Sequence, residues 1–514
     1  MMWLLWAPVA LAAVIIAFGR LRKKIKPNYG LPLVGSPDQQ NLSSAIIDGY
    51  QKYQDTAFVV PSDPPRVMLP MNLYQEVIQA PDTEMSFAAE IYDIFLGRYT
   101  HVGESRGEVI EAVRVDLTRN MSGVLRPIQE EAKFGLNQLI GDSAEWKTFN
   151  TYHMVLRMIG LMSGRVFVGL PLSREEDWIQ ASITFATDVG KSRMAALRWN
   201  PWIRPFVLPF LPEVRHTRRA LHKANEHMRP LVKEVLRDEN LPEEKPAKPG
   251  APGAFVSWMM KYLSSEEKTP ETMGTNQMLL SFAAIHTTSG TATLALHDLL
   301  GRPQYIEPLR EEIAEVIKED GVESDENGQV FLSKSSVGKL KKLDSFIKES
   351  QRTSPLSLAG TSRRLRKDQT FSNGMKLPAG AAISFPLWAV YHSTTTKTFS
   401  PEYNAETGNA PPSEFDGFRF ARLRDQPGRE MKHQAATTGP DAFNFGHGPH
   451  ACPGRFFAVY VIKCIFIELL MNYDIHLKGV AGLETTERPP NQIRQMIVQP
   501  NYGAEVEVRR RAKV

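Results

Sequence analysis

The stretch Phe445-Gly446-His447-Gly448-Pro449-His450-Ala451-Cys452-Pro453-Gly454-Arg455 combines residue types that could do chemistry. Glycines and a proline make a tight loop that ends on a cysteine. The apolar run behind it, Phe456 to Leu470, has helical character. Cys452 therefore sits where a loop hands over to a helix N-terminus. Unpaired N–H groups and the helix dipole there favour a negative sulfur, the form in which cysteine binds a metal. Glycines also let the backbone come close to a flat ligand. Cys464, inside Val461-Ile462-Lys463-Cys464-Ile465-Phe466, reads as core packing.

Two further stretches carry chemistry less openly. Ala283-Ala284-Ile285-His286-Thr287-Thr288 places small residues before a histidine and two threonines. Small side chains leave room beside a helix, and threonine hydroxyls bond the preceding carbonyls and bend it. His286 has one ring nitrogen to accept and one to donate, which suits a proton relay, and equally suits a satisfied core histidine. Glu349-Ser350-Gln351-Arg352 puts two charges on one helical face at a spacing of three. On a surface such a pair would be worth little.

The cysteine loop resembles the haem-binding signature of the cytochrome P450 superfamily, Phe-x-x-Gly-x-Arg-x-Cys-x-Gly. Phe445, Gly448, Cys452 and Gly454 fall on its fixed positions, and His450 stands where the family has arginine. The resemblance implies that Cys452 is the axial ligand of haem b iron and that His450 meets a haem propionate. It implies that Ala283 and Ala284 border the substrate pocket and that Thr287 helps deliver protons where O2 is activated, with His286 in place of the usual acid. Glu349 and Arg352 would be buried and completed by Arg419, from Phe415-Asp416-Gly417-Phe418-Arg419-Phe420. Arg114 sits where a helix sends an arginine to the propionates, although Ile110 holds the companion tryptophan position; a solvated surface arginine is the other reading. Leu356, Leu358 and Ala359 would face substrate, and Arg363 or Arg364 would reach the haem, with Arg364 taken as the candidate. The motifs keep the family's order along the chain. Their wording most resembles fungal microsomal members that tailor natural products, often terpenoids or indole terpenoids. The implied activity is oxygen insertion from O2 into a C–H bond of a large apolar substrate. Electrons would come from NADPH through a cytochrome P450 reductase. A haem-thiolate isomerase or dehydratase, or a haem-binding membrane protein without turnover, are the rival readings.

The elements that must position these residues follow from pattern. Thr269-Pro270-Glu271 is a helix start and Gly301-Arg302-Pro303 a stop. The helix between them would be about 47 Å long and apolar enough to run through the core. Amphipathic spacing predicts helices near 109–117, 124–142, 151–169 and 174–198. Phe58-Val59-Val60 and Arg66-Val67-Met68-Leu69 read as strands, and Asn373-Gly374 as a hairpin turn. The expected fold is mostly α with small β-sheets, an α+β cytochrome P450 fold.

Composition bounds the rest. The chain has 514 residues, 42% of them hydrophobic, enough for a large core, with a net charge of +4 and two cysteines. No disulfide framework is implied, which fits a reducing compartment. Basic clusters at Arg20 to Lys26 and Arg509 to Lys513 carry the positive balance, so no nucleic-acid-binding face is indicated. Residues 1–19 are uncharged and mostly apolar, long enough to cross a bilayer, and basic residues follow them. The reading is a signal anchor at 1–19, a basic and Pro/Gly hinge at 20–36, and a catalytic domain at 37–514 on the cytosolic face of the endoplasmic reticulum membrane. The segment from Trp199 to Pro212 is apolar and punctuated by prolines. It is either ordinary packing or a second membrane contact beside a substrate door. Residues 239–253 read as a flexible loop inside one domain.

Overall fold

The computed structural model describes residues 29–200, 202–239, 249, 251, 253–324, 330–479 and 487–512. The predicted anchor at 1–19, most of the hinge and most of the 239–253 loop lie outside the described residues.

Seven helices frame the site: α1 (Met121–Leu139), α2 (Thr151–Phe167), α3 (Glu176–Ala196), α4 (Pro212–Glu239), α5 (Pro270–Leu300), α6 (Lys341–Thr353) and α7 (Arg455–Asn472). α5 is the spine. Thr269 caps it by accepting from the Thr272 N–H (3.1 Å), Pro270 opens it, and Gly301 ends it. It packs against α2, α3, α4 and α6. Among the described helices it alone is long and apolar enough to cross a membrane, yet most of that stretch is buried inside the fold. Its apolar composition is therefore met by protein over most of its surface.

Eight strands matter for the site and its support: β1 (Phe58–Val60), β2 (Arg66–Met68), β3 (Met85–Ser86), β4 (Lys147–Asn150), β5 (Gly360–Leu365), β6 (Ala382–Phe385), β7 (Tyr473–Gly479) and β8 (Glu505–Arg510). One sheet runs β1-β2-β6-β5-β3, with β6 parallel to β2 and the other pairs antiparallel. A second runs β7-β8-β4. The main core joins α1, α2, α4, α5 and α7, and a smaller core lies under the first sheet. The expected helix near 109–117 divides in two. Gly107–Glu111 is α-helical and Ala112–Leu117 is π-helical, a wider turn often found at functional sites.

Candidate active site

Cys452 is placed by a loop with a fixed return. Its N–H donates to the Phe445 carbonyl (2.7 Å), closing the loop on itself. Gly446 and Gly448 both adopt positive φ, +66° and +72°, which a side chain would strain. A Cβ on Gly448 would rest on Ile78, and one on Gly454 on Val113 of the π-helical turn. The loop is thus wedged between the 74–79 helix and the 107–117 segment. Behind Cys452, α7 begins at Arg455. Burial pushes the Cys452 thiol up, while the N–H groups of Gly454 and Arg455 and the Arg455 guanidinium pull the other way. Those donors favour the thiolate once a cation stands opposite it. Cys464 is fully buried with its thiol pushed up to about 12, an inert packing residue.

A ring of positive charge surrounds the loop. Arg363 and Arg114 both act on His450, and Arg114 also acts on Arg455. Arg455 Nη1 donates to the Cys452 carbonyl (2.8 Å). Arg363 is buried, its Nη1 donates to the Ser362 carbonyl (2.8 Å), and its Nε has no hydrogen-bond partner among the described residues. Burial lowers its pKa and the charge of Asp82 raises it. Arg114 is half exposed and pairs with Glu111 (3.1 Å). Burial and the neighbouring arginines Arg363 and Arg114 hold His450 below the ordinary imidazole range, against the charge of Asp82. One buried arginine, Arg363, and two partly exposed ones, Arg114 and Arg455, near a thiol at a helix start fit an iron porphyrin with two propionates.

The expectation for Arg364 is corrected. Its guanidinium binds Glu90 (2.7 Å), Asp93 (3.3 Å) and the Gly380 carbonyl (2.8 Å). Neighbours on β5 point to opposite faces, so Arg363 turns toward the cysteine loop and Arg364 away from it. Arg455 was not singled out from the sequence, although a cation on the first turn behind a cysteine was a readable signal.

On α5, from Thr272 to Leu300, only Ala283 and Thr287 are exposed. They lie four residues apart on one face, with Ala284 and Thr291 half-buried beside them. The result is a notch in the middle of a core helix. The Thr287 hydroxyl donates to the Ala283 carbonyl (2.6 Å). His286 does not open into the notch. Its Nε2 lies 2.6 Å from the Ile183 carbonyl on α3, and its Nδ1 lies 2.9 Å from the Tyr152 hydroxyl on α2. Of the two readings of His286, the geometry is that of a satisfied histidine.

Leu356 is half-buried and leans on Gly290 of α5. Leu358 and Ala359, expected to face substrate, are corrected. Both are buried in a cluster with Leu42, Val60, Met68 and Val498. The Leu358 N–H donates to the Met496 carbonyl and its carbonyl accepts from Trp388, which pins the segment into that cluster.

Glu349 lies where two guanidiniums meet. Arg352 approaches it with Nε (2.8 Å) and Nη2 (2.7 Å), and Arg419 with Nε at 3.2 Å from both oxygens. The Asp416 N–H adds a further donor (2.8 Å). The remaining guanidinium protons go to carbonyls, Arg352 to Tyr391 and Pro412, Arg419 to Ala410 and Pro411. All three residues are essentially fully buried. Tyr391 in turn receives the Asn444 N–H on its hydroxyl (3.1 Å), next to Phe445. The charge network is thus joined to the base of the cysteine loop.

Comparison with known proteins places this architecture. The family model for cytochrome P450 matches residues 29–508. The chain is 41% identical over 510 residues to the cytochrome P450 monooxygenase ascG of Acremonium egyptiacum, covering 97% of this chain and 95% of that one. It is 42% identical over 493 residues to cytochrome P450 monooxygenase 3 of Gibberella fujikuroi, covering 93% and 92%. With the cytochrome P450 monooxygenase BOA4 of Botryotinia fuckeliana it shares 36% over 495 residues, 95% and 92% of the two chains. Family match, relatives and helical fold with small sheets agree: this chain belongs to the cytochrome P450 family, and it is a monooxygenase.

Proposed function

We propose that the protein oxidises a large apolar natural product, of the terpenoid or a related secondary-metabolite class. One oxygen atom of O2 enters a C–H bond. The other leaves as water, with two electrons delivered from NADPH through a reductase and two protons taken up from solvent. The observation that carries this reading is the Cys452 sulfur, held at the start of α7 within a ring of cations. Arg363, Arg455, Arg114 and His450 would hold the propionates, and Cys452 the iron. A haem so bound supplies the activation of O2, and thiolate ligands in general push electron density that favours O–O cleavage. The protein's part is placement. Ala283 and Ala284 keep the notch open for substrate. Thr287, its proton engaged on Ala283, has lone pairs left to hold a proton-bearing water there. Leu356 supplies apolar wall.

The test is the carbon monoxide difference spectrum of the dithionite-reduced protein. Wild-type should give the far-red Soret band of thiolate ligation, and Cys452→Ser should lose it. A band at the histidine-ligated position in wild-type would defeat the reading. Product formation without NADPH and O2 would defeat the monooxygenase step.

The body also supports contact with a membrane of the endoplasmic reticulum. Trp202, Phe206 and Phe210 are 85%, 75% and 68% exposed, and Arg215 stacks on Phe210 at 5.8 Å. Three aromatics so exposed, rimmed by a cation, suit the lipid interface. In bilayers of brominated phosphatidylcholine, Trp202→Phe should reduce tryptophan quenching relative to wild-type. Equal quenching in both would remove the contact.

A further inference from the structure

We propose that His286 is a positioning residue, a strut that fixes the Thr287 notch of α5 against α2 and α3, and that it carries no proton to the site. The inference rests on the haem reading above, since it assigns Thr287 to the oxygen-facing side.

The hydrogen bonds define the tautomer. A carbonyl only accepts, so Nε2, 2.6 Å from the Ile183 oxygen, must carry the proton. Nδ1 is then the acceptor, and the Tyr152 hydroxyl donates to it across 2.9 Å. Every polar capacity of the ring is used, and burial disfavours its charged form. Tyr152 also packs against Tyr502, with the two rings edge-on at 4.7 Å. Tyr502 is exposed. A line of polar groups thus runs from the surface to the residue beside Thr287, which has the outline of a relay. Its inner end, however, is a peptide carbonyl, which passes no proton onward.

What the line does offer is rigidity where α5 is soft. Thr287, Ser289 and Thr291 each donate to the carbonyl four residues back, at 2.6, 2.7 and 3.0 Å. Such bonds compete with the main-chain ladder and bend a helix. Gly290 lies among them, and glycine weakens a helix interior by about 1 kcal/mol. Two bonds from His286 to two different helices fix the rotation of this segment about its axis. Thr287, the next residue, is thereby aimed into the notch.

Hydrogen–deuterium exchange of the full haem-loaded chain tests this without substrate. In His286→Phe, peptides covering 280–291 should exchange about tenfold faster than in wild-type. In Tyr152→Phe, which keeps the Ile183 bond, they should exchange a few-fold faster. Tyr502→Phe removes only the outer hydroxyl and should leave exchange unchanged. In a reductase-reconstituted preparation, peroxide released per NADPH should rise in His286→Phe. In Tyr502→Phe it should keep the wild-type rate and the wild-type solvent isotope ratio. Slower NADPH consumption with an altered isotope ratio in Tyr502→Phe would establish a relay and overturn the proposal. Unchanged exchange in His286→Phe would overturn it too, and if that variant does not fold, unchanged exchange in Tyr152→Phe does so alone. A wild-type protein without the thiolate carbon monoxide band would instead defeat the haem reading, while the exchange comparison would still report on the strut.

Discussion

Replacing Glu349 by alanine is expected to lower the thermal midpoint sharply and to cost much of the haem-loaded protein. The substitution strands Arg352 and Arg419 with relative exposures of 2% and 0% at the side chain. Their other protons bond neutral carbonyls, which cannot balance the charge. Burial already lowers the Arg419 pKa even with Glu349 in place. Breaking such a buried network costs about 3–5 kcal/mol, against a total stability of about 5–15 kcal/mol for a folded domain. The surface pair Lys341 and Asp425 is the control, with side chains 44% and 65% exposed. Lys341→Ala should change stability by less than about 0.5 kcal/mol, as exposed pairs do. Thermal midpoints and the carbon monoxide band of the two variants check this. A Glu349→Ala protein with full haem content and a wild-type midpoint would show that the network is not what supports the loop.

The second large effect is acid lability centred on His297. This side chain is 0% exposed on α5, and neither ring nitrogen has a partner among the described residues. Burial, with the charge of Arg488 adding to it, pushes its pKa down to about 3. The unfolded chain takes up a proton near pH 6.5. Below that pH the unfolded state binds a proton that the folded state refuses, so stability falls. The contribution is complete above about pH 6.5 and is lost as the pH drops toward 3, at about 1.4 kcal/mol per unit. Between pH 7 and 5 the loss is about 2 kcal/mol for this one group. Buried Glu312 and Glu468 act in the opposite sense, because burial raises their pKa values. Comparison with His297→Leu cancels them. The variant should match wild-type at pH 7, since no described hydrogen bond is lost, and should exceed it by about 2 kcal/mol at pH 5. Unfolding midpoints at the two pH values decide; equal pH dependence in both proteins would refute the assignment.

The sequence by itself determined what is local. The bounds of α5 were written in Thr269, Pro270 and Gly301, because capping and chain termination are short-range effects. The tight turn before Cys452 and the helix behind it were legible for the same reason. So was the family, because its motifs keep their order along the chain. The tertiary structure decided what depends on which face a residue turns to. Arg363 and Arg364 are adjacent in sequence, and strand alternation alone sends one toward the cysteine loop and the other to Glu90. Leu358 reads like a pocket residue and is buried because the Met496 carbonyl captures its N–H. His286 stands where a relay was conceivable, and its partners Tyr152 and Ile183 lie over 100 residues away in the chain. Spacing along a chain fixes turns and periods; which donor meets which acceptor is set by distant elements, and only their packing reveals it.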